Sequence, residues 1–387
     1  MKILLCPEYF YPHIGGGEIW IWNVAKFLAK KGHKILVLTY KQPGHTKDES
    51  INGFKIKRLG SFAVNGVQPY FRRALIQGIG IIIQGLKQDY DIILASQTFP
   101  LIPTYIVSKM RRKPIIAVFH NIYGPSFSLK EKGLLKGLIR SLAEGIVLKL
   151  NYDAVLTVSK STKRKLVHTG IDENKIKVVG VGVDLEKIDL AKTTKSDKPM
   201  IIYVGRLVKL KQVDHLIIAF KKVIEHVPDA ELFIVGSGAL KDELHKLVDR
   251  AGLSSKVHFN GFLFGKEKFR LIWESHLLVQ PSAIEGLSIA LVEAMACQTP
   301  IIAININGSK EVIVDGENGF LVPPNDVDQL ASKIIEILKD RERAEAIGRK
   351  GRELVEEQYT WERVVEKVEK SFLMVSKIET SWLIKIR

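Results

Sequence analysis

The sequence predicts an α/β protein with two doubly wound domains, each built on a mainly parallel sheet. Its 387 residues are too many for one ordinary hydrophobic core and about right for two domains. Short apolar runs recur along the chain without alternation of buried and exposed residues, as is typical of parallel strands covered on both faces. Segments with helical spacing separate these runs, and this alternation of strands and helices favours doubly wound sheets.

Ten apolar runs are predicted to be buried strands, five in each half of the chain. In chain order they cover residues 3–6, 35–39, 92–95, 115–119, 154–158, 201–204, 232–235, 257–259, 277–279 and 301–303. Apolar residues at helical spacing predict crossover helices between them, the clearest over residues 19–31, 213–226 and 239–251. A last amphipathic helix is predicted from residue 361 to about residue 376.

The alternation of strands and helices lapses once, in the polar run from Leu190 to Pro199. A polar stretch that ends in proline is typical of a linker between domains. The sequence therefore predicts one domain over residues 1–190, a second over 199–360, and a closing segment over 361–387.

Composition excludes several classes of protein. Hydrophobic residues make up 46% of the chain and charged residues 26%, which excludes general disorder. Cys6 and Cys297 lie far apart in apolar surroundings, so they are predicted to be small buried residues, not a disulfide or a metal site. The longest apolar stretch, residues 74–86, is shorter than the roughly 20 residues that a membrane span needs. These features favour a cytoplasmic protein.

The net charge of +16 is concentrated in the first half of the chain. Residues 1–190 hold 29 Lys and Arg against 14 Asp and Glu, whereas residues 191–387 hold 29 against 28. Within residues 101–170 there are 13 basic residues and 3 acidic ones. Such a region attracts nucleic acid, an acidic bilayer or a phosphorylated acceptor, although basic residues that serve only solubility are the alternative.

Three consecutive glycines, Gly15 to Gly17, lie between the first predicted strand and the first helix. Glycines there let backbone N–H groups approach an anion at the start of a helix. The spacing matches neither the dinucleotide fingerprint nor a Walker loop, and a purely steric turn is the alternative.

Arg206 and Lys211 follow the strand predicted at 201–204. Open α/β sheets bind ligands at the carboxyl ends of their strands, and Arg and Lys are suited to phosphate oxygens. An exposed basic loop is the alternative for this motif taken alone.

Glu285 and Glu293 follow the strand predicted at 277–279. If a helix begins near Gly286, their separation of eight residues is about 2.2 turns and places both carboxylates near one face. The N–H groups from Gly286 to Ser288 could then hold an oxyanion or sugar hydroxyls. Glu293 has apolar neighbours in the sequence and needs a partner, which a ribose diol would supply. A helix-capping Glu and a Glu at the rim are the alternative for this pair.

Taken in order, these motifs resemble the retaining GT-B glycosyltransferases of family 4. That family shows a Gly-Gly-x-Glu turn, a G-R-L-x-x-x-K-G loop, an E-x7-E element and a histidine that closes a strand of the first domain. The matching residues are Gly16, Gly17 and Glu18; Gly205, Arg206, Leu207 and Lys211; Glu285 and Glu293; and His120. The glycine after the lysine is replaced by Gln212. The resemblance runs from about Lys2 to Phe372.

The resemblance implies two Rossmann-like domains that face a cleft, with the C-terminal helix crossing back to the N-domain. The first domain would bind the acceptor and the second the donor. Arg206 and Lys211 would hold the donor pyrophosphate, while Glu285 would contact the transferred sugar. The other implied donor contacts are backbone groups of Gly286, Leu287 and Ser288 beside the sugar, the Glu293 carboxylate on the ribose, and the backbone near Phe262 at the base.

In the first domain, the resemblance implies that Gly16 and Gly17 approach the pyrophosphate and that His120 lies beside the anomeric carbon. A histidine of the core is the alternative for His120. The family retains the configuration of the anomeric carbon, and the usual proposal is front-face attack in which the leaving phosphate takes the acceptor's proton. Catalysis would then come mostly from positioning and electrostatics.

The implied reaction needs no cofactor, because the nucleotide sugar is a substrate. A UDP-sugar is favoured over a GDP-sugar, and the transferred group is expected to be a hexose or N-acetylhexosamine. No Asp-x-Asp pair is placed to hold a metal, and Arg206 and Lys211 can supply its charge, so the transfer is predicted to be metal-independent. The alternatives are a nucleotide-sugar hydrolase or epimerase of GT-B fold, and a basic nucleic-acid-binding protein. No specific nucleic-acid motif is present.

Residues 129–149 predict a basic amphipathic helix. Leu134, Leu135, Leu138, Leu142, Ile146 and Lys149 recur there at helical spacing, with the basic residues Lys130, Lys132, Lys136 and Arg140 among them. Together with Arg72, Arg73 and the apolar residues 79–83, this helix predicts peripheral docking on an anionic membrane surface and a lipid-linked or otherwise anionic acceptor. Packing of the apolar stripe against the sheet is the alternative.

Overall fold

The computed structural model describes residues 1–13, 15–42, 44–60, 70–122, 124 and 134–385, which form two compact units. The first unit contains the chain up to Gly180 together with the residues from Trp361 onward. The second unit runs from Val181 to Thr360. Each unit has the predicted α/β class, and the C-terminal helix belongs to the first unit, as the resemblance implied.

The first unit is built on an eight-stranded sheet with the order β3-β4-β2-β1-β5-β6-β7-β8. All neighbouring strands are parallel except β3 and β4, which are antiparallel. The strands are β1 (Lys2–Pro7), β2 (Lys34–Tyr40), β3 (Asp48–Ile51), β4 (Phe54–Leu59), β5 (Ile92–Ser96), β6 (Ile115–Phe119), β7 (Ala154–Thr157) and β8 (Ile176–Val178).

Helices cover both faces of this sheet. They are α1 (Gly16–Lys30), α2 (Tyr70–Lys87), α3 (Thr98–Arg111), α4 (Leu134–Leu148), α5 (Lys160–His168) and the C-terminal helix α13 (Trp361–Lys385). Helices α2, α3 and α4 connect strands that follow one another in the same direction across the sheet, so right-handed crossovers place them on one face. Helix α1 leads in the opposite direction and lies on the other face, where α13 packs against it through the Lys31–Glu369 ion pair (2.6 Å).

The second unit is built on a six-stranded parallel sheet with the order β11-β10-β9-β12-β13-β14. Its strands are β9 (Met200–Val204), β10 (Glu231–Val235), β11 (Val257–Gly261), β12 (Leu277–Gln280), β13 (Ile301–Ile304) and β14 (Phe320–Val322). Its helices are α6 (Leu185–Asp189), α7 (Val213–His226), α8 (Lys241–Ala251), α9 (Lys266–Glu274), α10 (Ile289–Ala296), α11 (Val327–Lys339) and α12 (Arg341–Gln358).

All ten predicted strands are present, because their apolar runs are buried by helices on both faces of the sheets. The sequence missed β3, β4, β8 and β14, which are short or carry charged residues. Cys6 and Cys297 are buried free thiols, as predicted, and burial raises the pKa of each.

The predicted boundary between the domains is wrong by about ten residues, since the second unit begins at Val181 and not after Leu190. The segment before Leu190 is fixed to the second unit, where Trp273 Nε1 donates to the Ile188 carbonyl (3.0 Å) and Arg352 binds Asp189 (2.7 Å). The polar run that follows is also fixed there, because Lys195 Nζ donates to the Ser275 carbonyl (2.6 Å).

Candidate active site

The loop after β9 contains the exposed Arg206 and, next to it, the buried Leu207. Leu207 is fully buried, whereas the Arg206 side chain is exposed and forms no hydrogen bond or ion pair with a described residue. The Tyr203 hydroxyl donates to the Arg206 carbonyl (2.9 Å), and a Cβ on Gly205 would lie 2.5 Å from that hydroxyl oxygen. Gly205 is therefore needed for the close turn that turns Arg206 toward solvent.

Lys211 and Glu285 form an ion pair at the carboxyl edge of this sheet. Their side chains are 15% and 13% exposed, so the pair is largely shielded but within reach of a ligand. The Glu285 carboxylate also accepts from Ser282 Oγ (2.9 Å), while the Gln280 amide lies 3.4 Å away. The structure thus brings together the cation of one sequence motif and the carboxylate of another.

The backbone around Glu285 is held by two neighbouring loops. Ala283 N donates to the Leu210 carbonyl (2.9 Å), which ties this segment to the loop that carries Lys211. On the other side, a Cβ on Gly308 would lie 2.5 Å from the Glu285 carbonyl oxygen, so only glycine permits this approach. These contacts fix the Glu285 backbone before any ligand arrives.

Helix α10 begins at Ile289, not near Gly286 as predicted. Glu285 therefore precedes the helix and Glu293 lies in its second turn, so the prediction that both carboxylates lie near one helix face is wrong. Ser288 occupies the N-cap position, but its side chain does not cap the helix. Within the described chain, the N–H groups from Gly286 to Ser288 donate no backbone hydrogen bond, which leaves them available to a ligand.

Glu293 is paired with Lys268, which lies on α9. The two charged atoms are 2.6 Å apart, and each side chain is only 9% exposed. The partner that the sequence requires for Glu293 is thus supplied within the protein, and its Oε2 accepts no hydrogen bond from a described residue. The sequence analysis missed Lys268 because it lies 25 residues before Glu293 in the chain. The signal that could have found it is its position four residues before the apolar Ile272, which places both on the inner face of α9.

Gln212 occupies a left-handed backbone conformation, with φ at 46° and ψ at 43°. This conformation favours glycine, which explains why the resembling motif has glycine after the lysine. The Gln212 amide donates to Asn325 Oδ1 (3.1 Å), a contact that glycine could not make.

Phe262 follows β11 at the same carboxyl edge of the second sheet and is 53% exposed. The backbone before it is tied to the neighbouring strand, because Gly236 N donates to the Gly261 carbonyl (2.7 Å). A Cβ on Gly236 would collide with the Gly205 carbonyl oxygen. Gly236, in the loop after β10, therefore lies between the loops that carry Phe262 and Arg206.

In the first unit, the glycine turn lies against His120. Gly16 and Gly17 open helix α1, and a Cβ on Gly17 would lie 3.2 Å from His120 Cδ2. The His120 ring also contacts Trp20, with ring centroids 5.4 Å apart. Its Nε2 is buried without a hydrogen-bond partner in the described chain, so His120 is not a satisfied histidine of the core.

Burial lowers the pKa of His120 to about 4, and the negative charge of Glu18 opposes this shift only in part. The ring is therefore neutral near pH 7. Glu18 is itself buried, which disfavours its ionised form, but hydrogen bonds from His13, the Glu18 backbone and Gln97 outweigh burial and lower its pKa. Gln97 Nε2 donates to Glu18 Oε1 at 3.0 Å, and sequence reasoning missed this residue.

Within the described residues, no three His, Cys, Asp or Glu side chains are grouped so that they could hold a metal ion. Metal independence stays a prediction, as do the individual roles of the residues described above.

Comparison with known proteins finds two family models that together span most of the chain. The model described as Glycosyltransferase Family 4 matches residues 14–187, and the model described as Glycosyl transferases group 1 matches residues 185–354. The first match includes the glycine turn and His120, and the second includes the motifs that carry Arg206, Lys211, Glu285 and Glu293.

Individual proteins show the same similarity. The N-acetyl-alpha-D-glucosaminyl L-malate synthase of Bacillus anthracis is 27% identical, over 93% of this chain and 94% of its own length. A GDP-mannose-dependent alpha-(1-6)-phosphatidylinositol monomannoside mannosyltransferase of Mycobacterium tuberculosis is 28% identical, over 60% and 63% respectively. The structure of Anabaena HepE in complex with UDP-glucose superposes with a TM-score of 0.78 at 21% identity, over 97% of this chain and all of the other. The chain therefore belongs to the group 1 and family 4 glycosyltransferases and has their GT-B fold.

Proposed function

We propose that this glycosyltransferase moves a hexose or N-acetylhexosamine from a UDP-sugar to an acceptor, with retention at the anomeric carbon and without a metal. The observation that carries the proposal is the Lys211–Glu285 ion pair beside the unpaired N–H groups from Gly286 to Ser288. It places a cation, a carboxylate and backbone donors together at the ligand-binding edge of a parallel sheet.

Donor binding would proceed by exchange of partners. The pyrophosphate would take Lys211 from Glu285 and would also be held by the exposed Arg206, since phosphate oxygens form strong charge-assisted hydrogen bonds. The released Glu285 carboxylate would then accept hydrogen bonds from hydroxyls of the sugar. Glu293 keeps one oxygen on Lys268 and would use Oε2 for the ribose hydroxyls.

The chemistry would rest on positioning and charge. Arg206 and Lys211 would stabilise the negative charge that develops on the leaving diphosphate, which makes a metal unnecessary. The departing phosphate oxygen would accept the proton of the attacking hydroxyl, so that no protein nucleophile is required. Because the His120 ring is neutral, it would place a polar nitrogen and not a positive charge near the sugar.

The proposed nucleotide base is uracil. Anabaena HepE was solved with UDP-glucose, whereas the mycobacterial relative is GDP-mannose-dependent. Differential scanning fluorimetry with UDP- and GDP-sugars tests the base directly. A larger thermal shift with GDP-sugars would overturn the choice of uracil and leave the proposed transfer intact.

We further propose that the acceptor is lipid-linked and that the first unit docks on an anionic membrane. The outer surface of the adjacent helices α2, α3 and α4 supports this proposal. Large apolar side chains between 42% and 62% exposed recur along all three helices: Leu75, Ile79 and Ile83; Ile106 and Met110; Leu138, Leu142 and Ile146. The stripe on α4 therefore faces outward, while Ala143 and Val147 of the same helix are buried.

Basic residues border this apolar surface. The three helices run antiparallel to the strands, so their carboxyl ends lie at one edge of the sheet. Five exposed cations lie at these ends: Lys87, Lys109, Arg111, Arg112 and Lys149. Near an anionic bilayer each is worth about 1 kcal/mol, and the apolar residues add interfacial burial. Residues 125–133, with Lys130 and Lys132, lie outside the described chain, as do the side chains of Arg73, Leu134, Leu135 and Lys136.

None of the helices in the described part of the chain is long and apolar enough to cross a membrane. Vesicle flotation with phosphatidylcholine alone and with added phosphatidylglycerol tests peripheral docking at low and high salt. We expect binding only to the anionic vesicles, weakened by salt and by the combined substitutions Ile79→Ser, Met110→Ser and Leu142→Ser. The matched control, Ile218→Ser with Val314→Ser, removes exposed apolar residues of the second unit and should bind like the wild type.

Absence of binding to anionic vesicles at low salt would overturn membrane docking. Transfer to water-soluble acceptors that equals or exceeds transfer to lipid-linked ones would overturn the proposed acceptor class. The donor-site proposal is tested separately, because hydrolysis or transfer of the sugar can be followed with either acceptor.

A further inference from the structure

We propose that Gln97 is a positioning residue of the active site, which fixes the glycine turn and Glu18 against His120. Gln97 lies in the first unit, between the carboxyl end of β5 and the start of α3. None of the sequence motifs includes it. The inference rests on the proposed function, because a change in transfer is one of its two measurements.

The Gln97 backbone adopts a conformation that side chains rarely allow. Its φ is 71° and its ψ is 165°, a region occupied almost only by glycine. Backbone strain of this kind is kept where the surrounding structure enforces it, and it is concentrated at functional sites. A glycine would relieve the strain at this position. The glutamine is therefore explained by the contacts that its side chain makes.

The side chain of Gln97 is committed to the segment between β1 and α1. Although Gln97 occupies the N-cap position of α3, its amide does not cap that helix. Its Oε1 instead accepts from the Glu8 N–H (3.0 Å) and lies 3.4 Å from the Tyr9 N–H. Its Nε2 donates to Glu18 Oε1 (3.0 Å). One amide therefore joins both ends of the loop that contains the glycine turn.

The same amide lies beside the groups expected to meet the reacting sugar. A Cβ on Gly17 would lie 3.2 Å from His120 Cδ2 and 3.6 Å from Gln97 Nε2, so Gly17 fits between the two side chains. Glu18 is also held by His13 (3.5 Å), whose ring stacks on Tyr9. If Gln97 were removed, the loop would lose this side-chain link to the end of β5, and of these two side chains only His13 would still hold Glu18.

The test compares Gln97→Gly with Gln97→Glu. The glycine variant removes the amide and relieves the backbone, so its melting temperature should equal or exceed that of the wild type. Its kcat should nevertheless fall by about tenfold or more, with the donor KM changed less than about threefold. The glutamate variant keeps the size of the side chain but cannot donate to Glu18, so its kcat should fall similarly.

A matched control is available in the second unit. Gln298 also has a positive φ, of 51°, and its side chain forms no hydrogen bond with a described residue. Gln298→Gly should relieve strain in the same way without lowering kcat. A loss of kcat in the Gln97 variants that parallels a loss of melting temperature, or kcat near the wild-type value in both, would overturn the proposal.

Hydrogen–deuterium exchange gives a second measurement that does not depend on transfer. Peptides that cover the Glu8 and Tyr9 amides should exchange faster in Gln97→Gly than in the wild type, because the acceptor Oε1 is lost, whereas the carboxylate of Gln97→Glu can still accept from both amides. Unchanged exchange would overturn the positioning role. If the wild-type protein shows no transfer with any nucleotide sugar but Gln97→Gly exchanges faster, the proposed function fails while the role of Gln97 in holding this loop stands.

Discussion

Replacing Lys211 and Glu285 singly and together would separate their effect on folding from their effect on transfer. The suitable variants are Lys211→Met, Glu285→Gln and the double substitution, which keep most of the side-chain volume. In the donor-free structure the two charges are largely shielded, and Ser282 is a further partner of the carboxylate. Each single substitution leaves one charge partly buried without its counter-ion, whereas the double substitution leaves none.

The geometry sets the size of the expected effects. Two unit charges about 4 Å apart attract by about 4 kcal/mol at the effective dielectric of a protein surface, and desolvation cancels much of this. We therefore expect a coupling of about 1–2 kcal/mol in the free energy of unfolding, so that the double variant is less destabilised than the sum of the single variants. For transfer, each single variant should lose about 3 kcal/mol of transition-state stabilisation, or roughly a hundredfold in rate.

The assays are urea denaturation and direct measurement of sugar transfer at saturating donor. The double variant should recover stability but not activity, because each residue is proposed to contact the donor itself. The exposed Lys222–Asp328 pair of the same unit is the control, and its removal should change both quantities little. Transfer near the wild-type rate in either single variant, or recovery of transfer in the double variant, would refute the assignment.

Four further predictions concern single features of the structure. Gln212→Gly should raise the free energy of unfolding by about 1 kcal/mol by relieving the left-handed backbone, as measured by urea denaturation against Gln212→Ala. Lys268→Met should lower it by about 3–5 kcal/mol, because Glu293 would be left buried and unpaired; a smaller loss would argue that water reaches the carboxylate. Since the pKa of His120 in the folded protein is about 4, below that of an unfolded histidine, the folded state binds fewer protons, and stability should fall as the pH drops from 6.5 to 4. This fall in the free energy of unfolding should be about 2 kcal/mol smaller in His120→Asn. Identical pH profiles of stability in the variant and the wild type would refute the lowered pKa of His120. Full transfer should survive EDTA, and loss of activity that Mg²⁺ or Mn²⁺ restores would contradict metal independence.

The sequence predicted the central strands because burial on both faces requires continuous apolar runs. It missed β4, where Lys55 and Lys57 alternate with buried Phe54 and Ile56, since one face of that strand is only partly covered. Arg58 also made this segment look exposed, although its side chain is fully buried. Its charge is compensated by Glu49, nine residues away in the sequence, at 3.2 Å. Polarity of a segment does not reveal such compensation.

The same limit explains the misplaced domain boundary. Lysine-rich sequence between Leu190 and Pro199 is typical of a solvated linker, but burial lowers the pKa of Lys195 to about 8. Its ammonium group is held by the Ser275 carbonyl and by Thr299 Oγ1 (3.1 Å), which belong to elements far along the chain. Only the tertiary structure shows that this stretch is part of the second unit.

In the candidate site, motif spacing identified residues near one another in the chain but not their distant partners. Lys211 and Glu285 each stand in a recognisable motif, and the fold brings the two motifs together. Lys268 stands in no motif and is found only through its contact with Glu293. Lys211 and Lys268 differ in this way because a sequence motif reflects the requirements of the local backbone. The partner of a buried charge instead lies on whichever element packs against it.

Gln97 and Gln212 show a related limit of patterns based on glycine. Each has a positive φ at the carboxyl edge of its sheet, where glycine is the residue of least strain. Each also uses its amide to join two segments, Gln97 through Glu18 and Gln212 through Asn325. A side chain at such a position strains the backbone and also forms a specific hydrogen bond. If that bond serves the active site, replacing the residue with glycine should raise stability and lower activity. That opposition, and not the positive φ alone, distinguishes a positioning residue from a turn that merely tolerates strain.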